Sequence, residues 1–141
     1  MWNYIWPVLM VVGANTVYNI AAKSTPGGVN AFASLTVTYL TAAAVSLLMF
    51  FASPGRQALF TELRKINWTA FAFGIAIVAL EFGYINIYRA GWKMSVASLA
   101  ANIALACVLL LVGILLYKET VSLRQLAGVA VCAAGLFLIA K

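Results

Sequence analysis

One acidic residue, Glu81, lies deep within a run of apolar residues long enough to cross a bilayer. Tyr84 and Tyr88 follow it at helical positions i+3 and i+7 and therefore share its face. A carboxylate exposed to lipid is costly, so we expect Glu81 to face the protein interior or a cavity. There it would bind a cation or exchange protons. The alternative is a structural carboxylate paired with Arg89, Lys93 or a backbone donor.

Three asparagines add uncharged hydrogen-bonding groups to the apolar segments. Asn15 and Asn19 lie one helical turn apart in the first segment, so both can face the same cavity. Asn102 lies on a later segment, on a stripe that begins with Ser95 and Ser98. Each asparagine either lines a solute pathway or makes hydrogen bonds between helices. For the two serines we expect close packing of helices.

Small residues form a smooth strip along the last apolar segment. Gly128, Cys132 and Gly135 lie on one side of a predicted helix, with alanines around them and almost no polar side chain after Gln125. Small residues let helix backbones approach closely in a membrane. We predict that this strip forms the contact between two protomers.

The residue content argues against catalysis and against a metal or cofactor. The chain contains no histidine, which is the commonest metal ligand and a frequent general base. Cys107 and Cys132 lie within apolar segments and show no CxxC or Cys/His spacing. No glycine-rich phosphate loop is present. We predict a protein that is not an enzyme, with no catalytic residue, metal or cofactor.

Membrane-spanning helices are the elements that must position these residues. The chain is 65% hydrophobic and 9% charged, whereas a soluble domain is about half apolar and about a quarter charged. We predict one all-α integral membrane domain over residues 1–141, multi-pass in the inner (cell) membrane. Five segments reach the roughly 20 residues that a span requires, and they cover approximately residues 2–22, 29–52, 68–89, 95–117 and 122–140. A short interfacial helix is expected between the second and third spans.

Basic residues are almost evenly divided between the two predicted sides of the membrane. Lys and Arg in excess on the cytoplasmic side set orientation, so a near balance favours weak or dual topology and an antiparallel homodimer, or a homologous partner chain. No basic face with interleaved aromatics indicates nucleic acid as a partner. The N-terminal side holds Arg56, Arg64, Lys65, Lys118 and Arg124, and the other side holds Lys23, Arg89, Lys93 and Lys141.

The C-terminal third contains a spaced set of acidic, hydroxyl, glutamine and glycine residues. Residues 116–141, "LYKETVSLRQLAGVAVCAAGLFLIAK", contain Glu119 in a short turn, the hydroxyl residue Ser122, a Gln-x-x-Gly at Gln125 and Gly128, and a glycine-rich last helix. This pattern resembles the end of an EamA-type repeat in the drug/metabolite transporter superfamily. The ending "GLFLI" also resembles small multidrug resistance proteins. Residues 15–23, "NTVYNIAAK", are similar to the first helix of the nucleotide-sugar and triose-phosphate branch.

The resemblance implies one five-helix repeat, which is half of a ten-helix transporter built from two inverted repeats. The chain departs from small multidrug resistance proteins in having five helices and in carrying its carboxylate, Glu81, in the third helix rather than the first. The implied function is transport of a small organic solute by alternating access as a dimer, and Glu81 favours a cationic or zwitterionic solute. Two alternatives are a flippase for lipids or lipid-linked sugars and a non-transporting accessory subunit.

Overall fold

The computed structural model describes residues 2–54, 58–120 and 122–139 and places most of them in α-helices. No strand is present in these three ranges, so the prediction of an all-α chain is confirmed for them. The helices are α1 (Trp2–Ser24), α2 (Ala31–Ala52), α3 (Leu59–Leu63), α4 (Trp68–Arg89), α5 (Met94–Tyr117) and α6 (Leu123–Ile139).

Four of these helices, α1, α2, α4 and α5, are long and apolar enough to cross a membrane. Each contains 22 to 24 residues, which corresponds to about 33 to 36 Å at 1.5 Å per residue. The hydrocarbon core of a bilayer is about 30 Å thick. Length and composition therefore indicate a multi-pass membrane protein, with ends close to those predicted from the sequence.

The last helix, α6, is shorter than the other apolar helices. It contains 17 residues, or about 26 Å, and residues 140 and 141 lie outside the described ranges. Its start carries a reciprocal capping box: the Ser122 N–H donates to Gln125 Oε1 (2.8 Å), and the Gln125 N–H donates to Ser122 Oγ (3.3 Å). The cap shows why α6 begins here, and the fifth span stays a prediction.

The connection between α2 and α4 contains the short helix α3. It has five residues, and the Phe60 side chain is 78% exposed. Lys65 Nζ lies 2.7 Å from Glu62 Oε1 and forms an ion pair just after the helix. Apolar and charged side chains thus alternate on a small exposed segment, which is the composition expected at a membrane surface.

Large apolar side chains cover the outside of the long helices. Only 6% of the most apolar 18-residue window is buried in each of the four candidate spans. Phe73 is 76% exposed and Leu115 is 78% exposed. Water-soluble monomers rarely expose contiguous apolar patches of this extent, so these faces must contact lipid or other membrane-embedded protein.

The chain divides into two compact units, and each has its own helix pair. The first unit, Met1–Ile20 with Ala90–Lys141, contains α5 packed against α6. The second unit, Ala21–Arg89, contains α2 packed against α4. In the second unit the Phe32 and Phe82 rings stack with centroids 4.8 Å apart. Its core comprises Ala31, Leu35 and Ile85, with Tyr39 and Val78 packed against them.

A left-handed residue ends α5 and gives the turn glutamate a structural role. Lys118 has φ 52°, and its N–H donates to the Gly113 carbonyl. The Glu119 N–H donates to the same carbonyl at 3.0 Å. The Glu119 carboxylate covers Gly113 so closely that a Cβ there would lie 2.7 Å from Glu119 Oε2. Gly113 therefore leaves room for the side chain that closes the turn.

Candidate functional site

A polar groove of about 470 Å³ lies between α1 and α5 in the first unit. The structure places Asn15, Asn19 and Asn102 around it, although Asn102 is far from the other two in the chain. Three apolar residues, Val12, Met94 and Leu99, complete its wall. Its polar lining residues are Asn15, Thr16 and Asn19 from α1 and Ser95, Ser98 and Asn102 from α5.

On the α1 side, the one-turn spacing of the two asparagines produces a local hydrogen-bond pair. Asn19 Nδ2 donates to Asn15 Oδ1 at 2.7 Å and to the Asn15 carbonyl at 2.8 Å. Asn19 is buried, with 5% of its surface exposed, whereas Asn15 is exposed. Asn19 therefore holds the Asn15 amide in place, and the Asn15 Nδ2 group makes no hydrogen bond with any described residue. Asn15 thus presents free donors at the groove.

On the α5 side, the polar groups are more loosely paired. Asn102 Nδ2 donates to Ser98 Oγ at a donor–acceptor distance of 3.4 Å, which is long for a hydrogen bond, and Asn102 is exposed. On the facing helix, Thr16 Oγ1 donates its proton to the Val12 carbonyl at 2.8 Å, which leaves the hydroxyl oxygen as an acceptor. The groove thus offers both donors and acceptors.

Hydrogen bonding without charge is the chemistry that this groove can provide. Every residue that lines it is uncharged. Small-molecule sites commonly have about 300 to 1,000 Å³ and a few polar groups among apolar ones. The groove has this size and composition, and it suits a polar organic solute or the uncharged polar part of a larger one.

Sequence reasoning assigned part of this groove to a different role. Ser95 and Ser98 were expected to serve helix packing, and Thr16 was not predicted as a site residue. The structure places all three in the groove lining. The signal was present in the i, i+3, i+7 spacing of Ser95, Ser98 and Asn102, but spacing alone does not show whether a face meets another helix or a cavity.

The second unit holds Glu81, which is half-buried on α4. Its neighbour across the helix pair is Tyr39 of α2, and the carboxylate and the phenol interact. The Tyr39 hydroxyl is buried, yet it makes no hydrogen bond of strict distance and angle with a described residue, so we interpret this contact as a loose electrostatic one. No described basic side chain lies within 4.0 Å of Glu81. Of the alternatives expected from the sequence, the ion pair with Arg89 is therefore not formed.

Tyr84 and Tyr88 lie one turn apart on α4, with ring centroids 6.0 Å apart and planes inclined by 36°. Tyr84 is half-buried and Tyr88 is buried. The described contact of the Glu81 carboxylate is with Tyr39 on the facing helix. The six predicted site residues therefore fall into two groups: Asn15, Asn19 and Asn102 in the first unit, and Glu81, Tyr84 and Tyr88 in the second.

The predicted protomer contact lies on α6 and is open within the chain. No described atom lies within 4 Å of a Cβ built on Gly128 or Gly135. Cys132 is exposed. The strip has the accessibility that a second chain would need, and its role as a dimer contact stays a prediction.

The hydrogen bonds of the groove predict different stability effects for its asparagines. Asn19→Ala removes at least two bonds made by a buried side chain, and at roughly 0.6 kcal/mol each in a membrane the loss should be about 1 kcal/mol or more. Asn102→Ala removes one long bond at an exposed site, so its effect should stay within about 0.5 kcal/mol. Thermal unfolding in detergent compares the two variants. Equal melting temperatures for both would contradict the structural role of Asn19.

Comparisons with protein-family models, with curated proteins and with solved structures find no match for this chain. The polar groove and the contact between Glu81 and Tyr39 are therefore the observations on which a functional proposal must rest.

Proposed function

We propose that the chain is a membrane transporter of a small polar organic solute. The observation that carries this proposal is the groove, in which six polar side chains gather between two helices of mean hydropathy 1.4 and 2.8. Polar side chains are expensive within a membrane and usually face a bundle interior or a water-filled cavity. Six polar side chains around one groove are better explained by a solute pathway than by separate hydrogen bonds between helices.

The depth of the groove also supports transport. Asn15 and Asn102 each lie about 12 to 14 Å from the nearer end of their helix, at 1.5 Å per residue. A bilayer core is about 30 Å thick, so both amides lie well inside it. Secondary transporters built from repeats bind their solutes near the membrane midplane.

In this proposal Glu81 is the group that handles charge. Its contact is a phenol, and no described base lies within ion-pair distance. A carboxylate left without a basic partner can receive a cationic group or a proton from outside the protein. The solute would accordingly be cationic or zwitterionic.

The proposed mechanism is alternating access by a dimer of five-helix EamA-type repeats. The near balance of basic residues on the two predicted sides and the open glycine strip on α6 support this arrangement. A flippase for lipids or lipid-linked sugars and an accessory membrane subunit are the alternative functions. Soluble ligands that stabilise the purified chain favour transport, whereas obligatory co-purification with another protein favours a subunit.

To test the groove, soluble organic cations, zwitterions and neutral polar compounds are screened for those that raise the melting temperature of the purified chain in detergent. For a compound that binds, Asn102→Ala should weaken affinity about two- to tenfold, the equivalent of one hydrogen bond. Asn86→Ala on α4 is the matched control, because Asn86 is exposed and bonds only to its own helix at the Phe82 carbonyl (2.7 Å). Native affinity in Asn102→Ala, or equal losses in both variants, would exclude the groove as the binding site.

Glu81→Gln keeps the shape of the side chain and removes its charge. A cationic ligand should bind about tenfold or more weakly, since a hydrogen bond to a charged group is lost, and the pH dependence of binding should disappear. Glu62→Gln removes the same charge from an exposed ion pair with Lys65 and is the matched control. A folded Glu81→Gln protein with native affinity and native pH response would show that Glu81 handles no charge in binding.

The dimer contact is tested by Gly128→Leu and Gly135→Leu. A Cβ at either position meets no described atom outside its own helix within 4 Å, and leucine forms helices better than glycine. A loss of assembly in a variant that keeps its helix content therefore indicates a contact with another chain. The oligomer mass in detergent should fall for both variants and stay native for Gly74→Leu, a helical glycine that is also open. Unchanged mass for both α6 variants would rule out this strip.

A further inference from the structure

A second cavity of about 180 Å³ lies in the second unit, where α1 and α4 end. Lys23, Thr25, Gly27, Tyr88 and Arg89 line it, together with two apolar residues. One water occupies about 30 Å³ of liquid volume, so the cavity accommodates a group several times that size. None of its lining residues is acidic.

The two bases of this cavity have no acidic partner. Neither Lys23 nor Arg89 forms an ion pair with a described carboxylate. The chain contains only three acidic residues, and each has another neighbour: Glu62 pairs with Lys65, Glu81 contacts Tyr39, and Glu119 covers Gly113. Two positive charges thus share one cavity without neutralisation, which favours a bound anion.

The Arg89 guanidinium is held in place by two hydrogen bonds and still has N–H groups that make none with described residues. Its Nη2 donates to the Pro26 carbonyl at 3.3 Å and to the Val29 carbonyl at 2.5 Å. These bonds tie the side chain to the loop between α1 and α2, while Nε and Nη1 keep three N–H groups free of described bonds. A planar guanidinium fork matches the oxygens of a phosphate group.

The loop adds a backbone donor to these side chains. The Thr25 and Val29 amides bond to the Ala22 and Pro26 carbonyls, but the Gly27 amide makes no hydrogen bond with a described group. Backbone N–H groups exposed in turns commonly bind anions. Lys23, Gly27 and Arg89, which carry an ammonium, an unbonded backbone amide and a guanidinium, therefore line one cavity.

We propose that this cavity binds a phosphate group. Lys23 lies in the last turn of α1 and Arg89 is the last residue of α4, which is the level at which helices of this length meet the headgroup region. Basic pockets between membrane helices bind anionic lipid headgroups there. A lipid headgroup and soluble phosphate present the same chemistry, so the experiment includes both.

The test uses the full chain in a detergent without phosphate, at fixed ionic strength maintained with chloride, because exposed charges are screened by salt. One arm titrates inorganic phosphate and the other titrates a short-chain phosphatidic acid, each measured by the shift in melting temperature. Lys23→Gln is the principal variant, because the Lys23 side chain makes no described hydrogen bond that folding would lose. Arg89→Lys is the second variant, since it keeps the charge and removes the planar fork.

Both variants should raise the apparent Kd about tenfold or more, the loss expected for a charge-assisted hydrogen bond. Lys93→Gln is the matched control: it removes the same charge four residues after Arg89, at a position that does not line the cavity, and it should bind as the native chain does. Binding of inorganic phosphate indicates a soluble ligand, and binding of the lipid alone indicates a headgroup site.

The proposal is overturned if neither ligand stabilises the native chain. It is also overturned if Lys23→Gln binds as well as the native chain in both arms, or if Lys93→Gln weakens binding equally, which would show general attraction to a basic surface. The phosphate site and the transport proposal can be tested separately. Asn102→Ala and Glu81→Gln change residues outside the lining of this cavity, so both variants should bind phosphate as the native chain does.

Discussion

Within the hydrocarbon of a membrane, a polar group must find its partner inside the protein, because no water is available to replace one. Hydroxyl side chains on the long helices follow this constraint by bonding to the carbonyl one turn earlier in their own helix. The pairs are Thr16 with Val12, Thr36 with Phe32, Thr38 with Ser34 and Thr41 with Val37, at 2.8 to 3.1 Å. Thr36, Thr38 and Thr41 therefore add polarity to the sequence without adding a site, whereas Thr16 also lines the groove.

A bond to the carbonyl one turn earlier does not meet the full hydrogen-bonding capacity of an asparagine or glutamate side chain. An amide side chain has two donor hydrogens and one acceptor oxygen, and the backbone of its own helix meets only part of this capacity. Asn19 uses Asn15 as its partner, which leaves Asn15 with free donors at the groove. Glu81 has a loose contact with Tyr39 and no described base within ion-pair distance. The residues whose bonding capacity is not met locally are therefore the ones that indicate function.

Basic side chains at the ends of two helices also have a partly local explanation. Arg89 and Lys23 lie in the last turns of their helices, where positive side chains complement the partial negative charge of the helix C-terminus. This effect accounts for their sign and position. It does not account for two unneutralised bases lining the same cavity, for the loop carbonyls that fix Arg89, or for the unbonded Gly27 amide. These additional features are the ones on which the proposed phosphate site depends.

The helical class and four of the long apolar helices could be predicted from the sequence. These depend on local properties, chiefly long runs of apolar residues separated by short polar segments. The sequence also indicated Asn15, Asn19, Asn102 and Glu81, because polar residues are conspicuous in an apolar helix. The three-dimensional structure was needed to show that Ser95 and Ser98 line a groove, that Tyr39 is a neighbour of Glu81, and that Lys23 and Arg89 line the same cavity. Helical spacing shows which residues share a face, but the partner of that face comes from a segment distant in the chain.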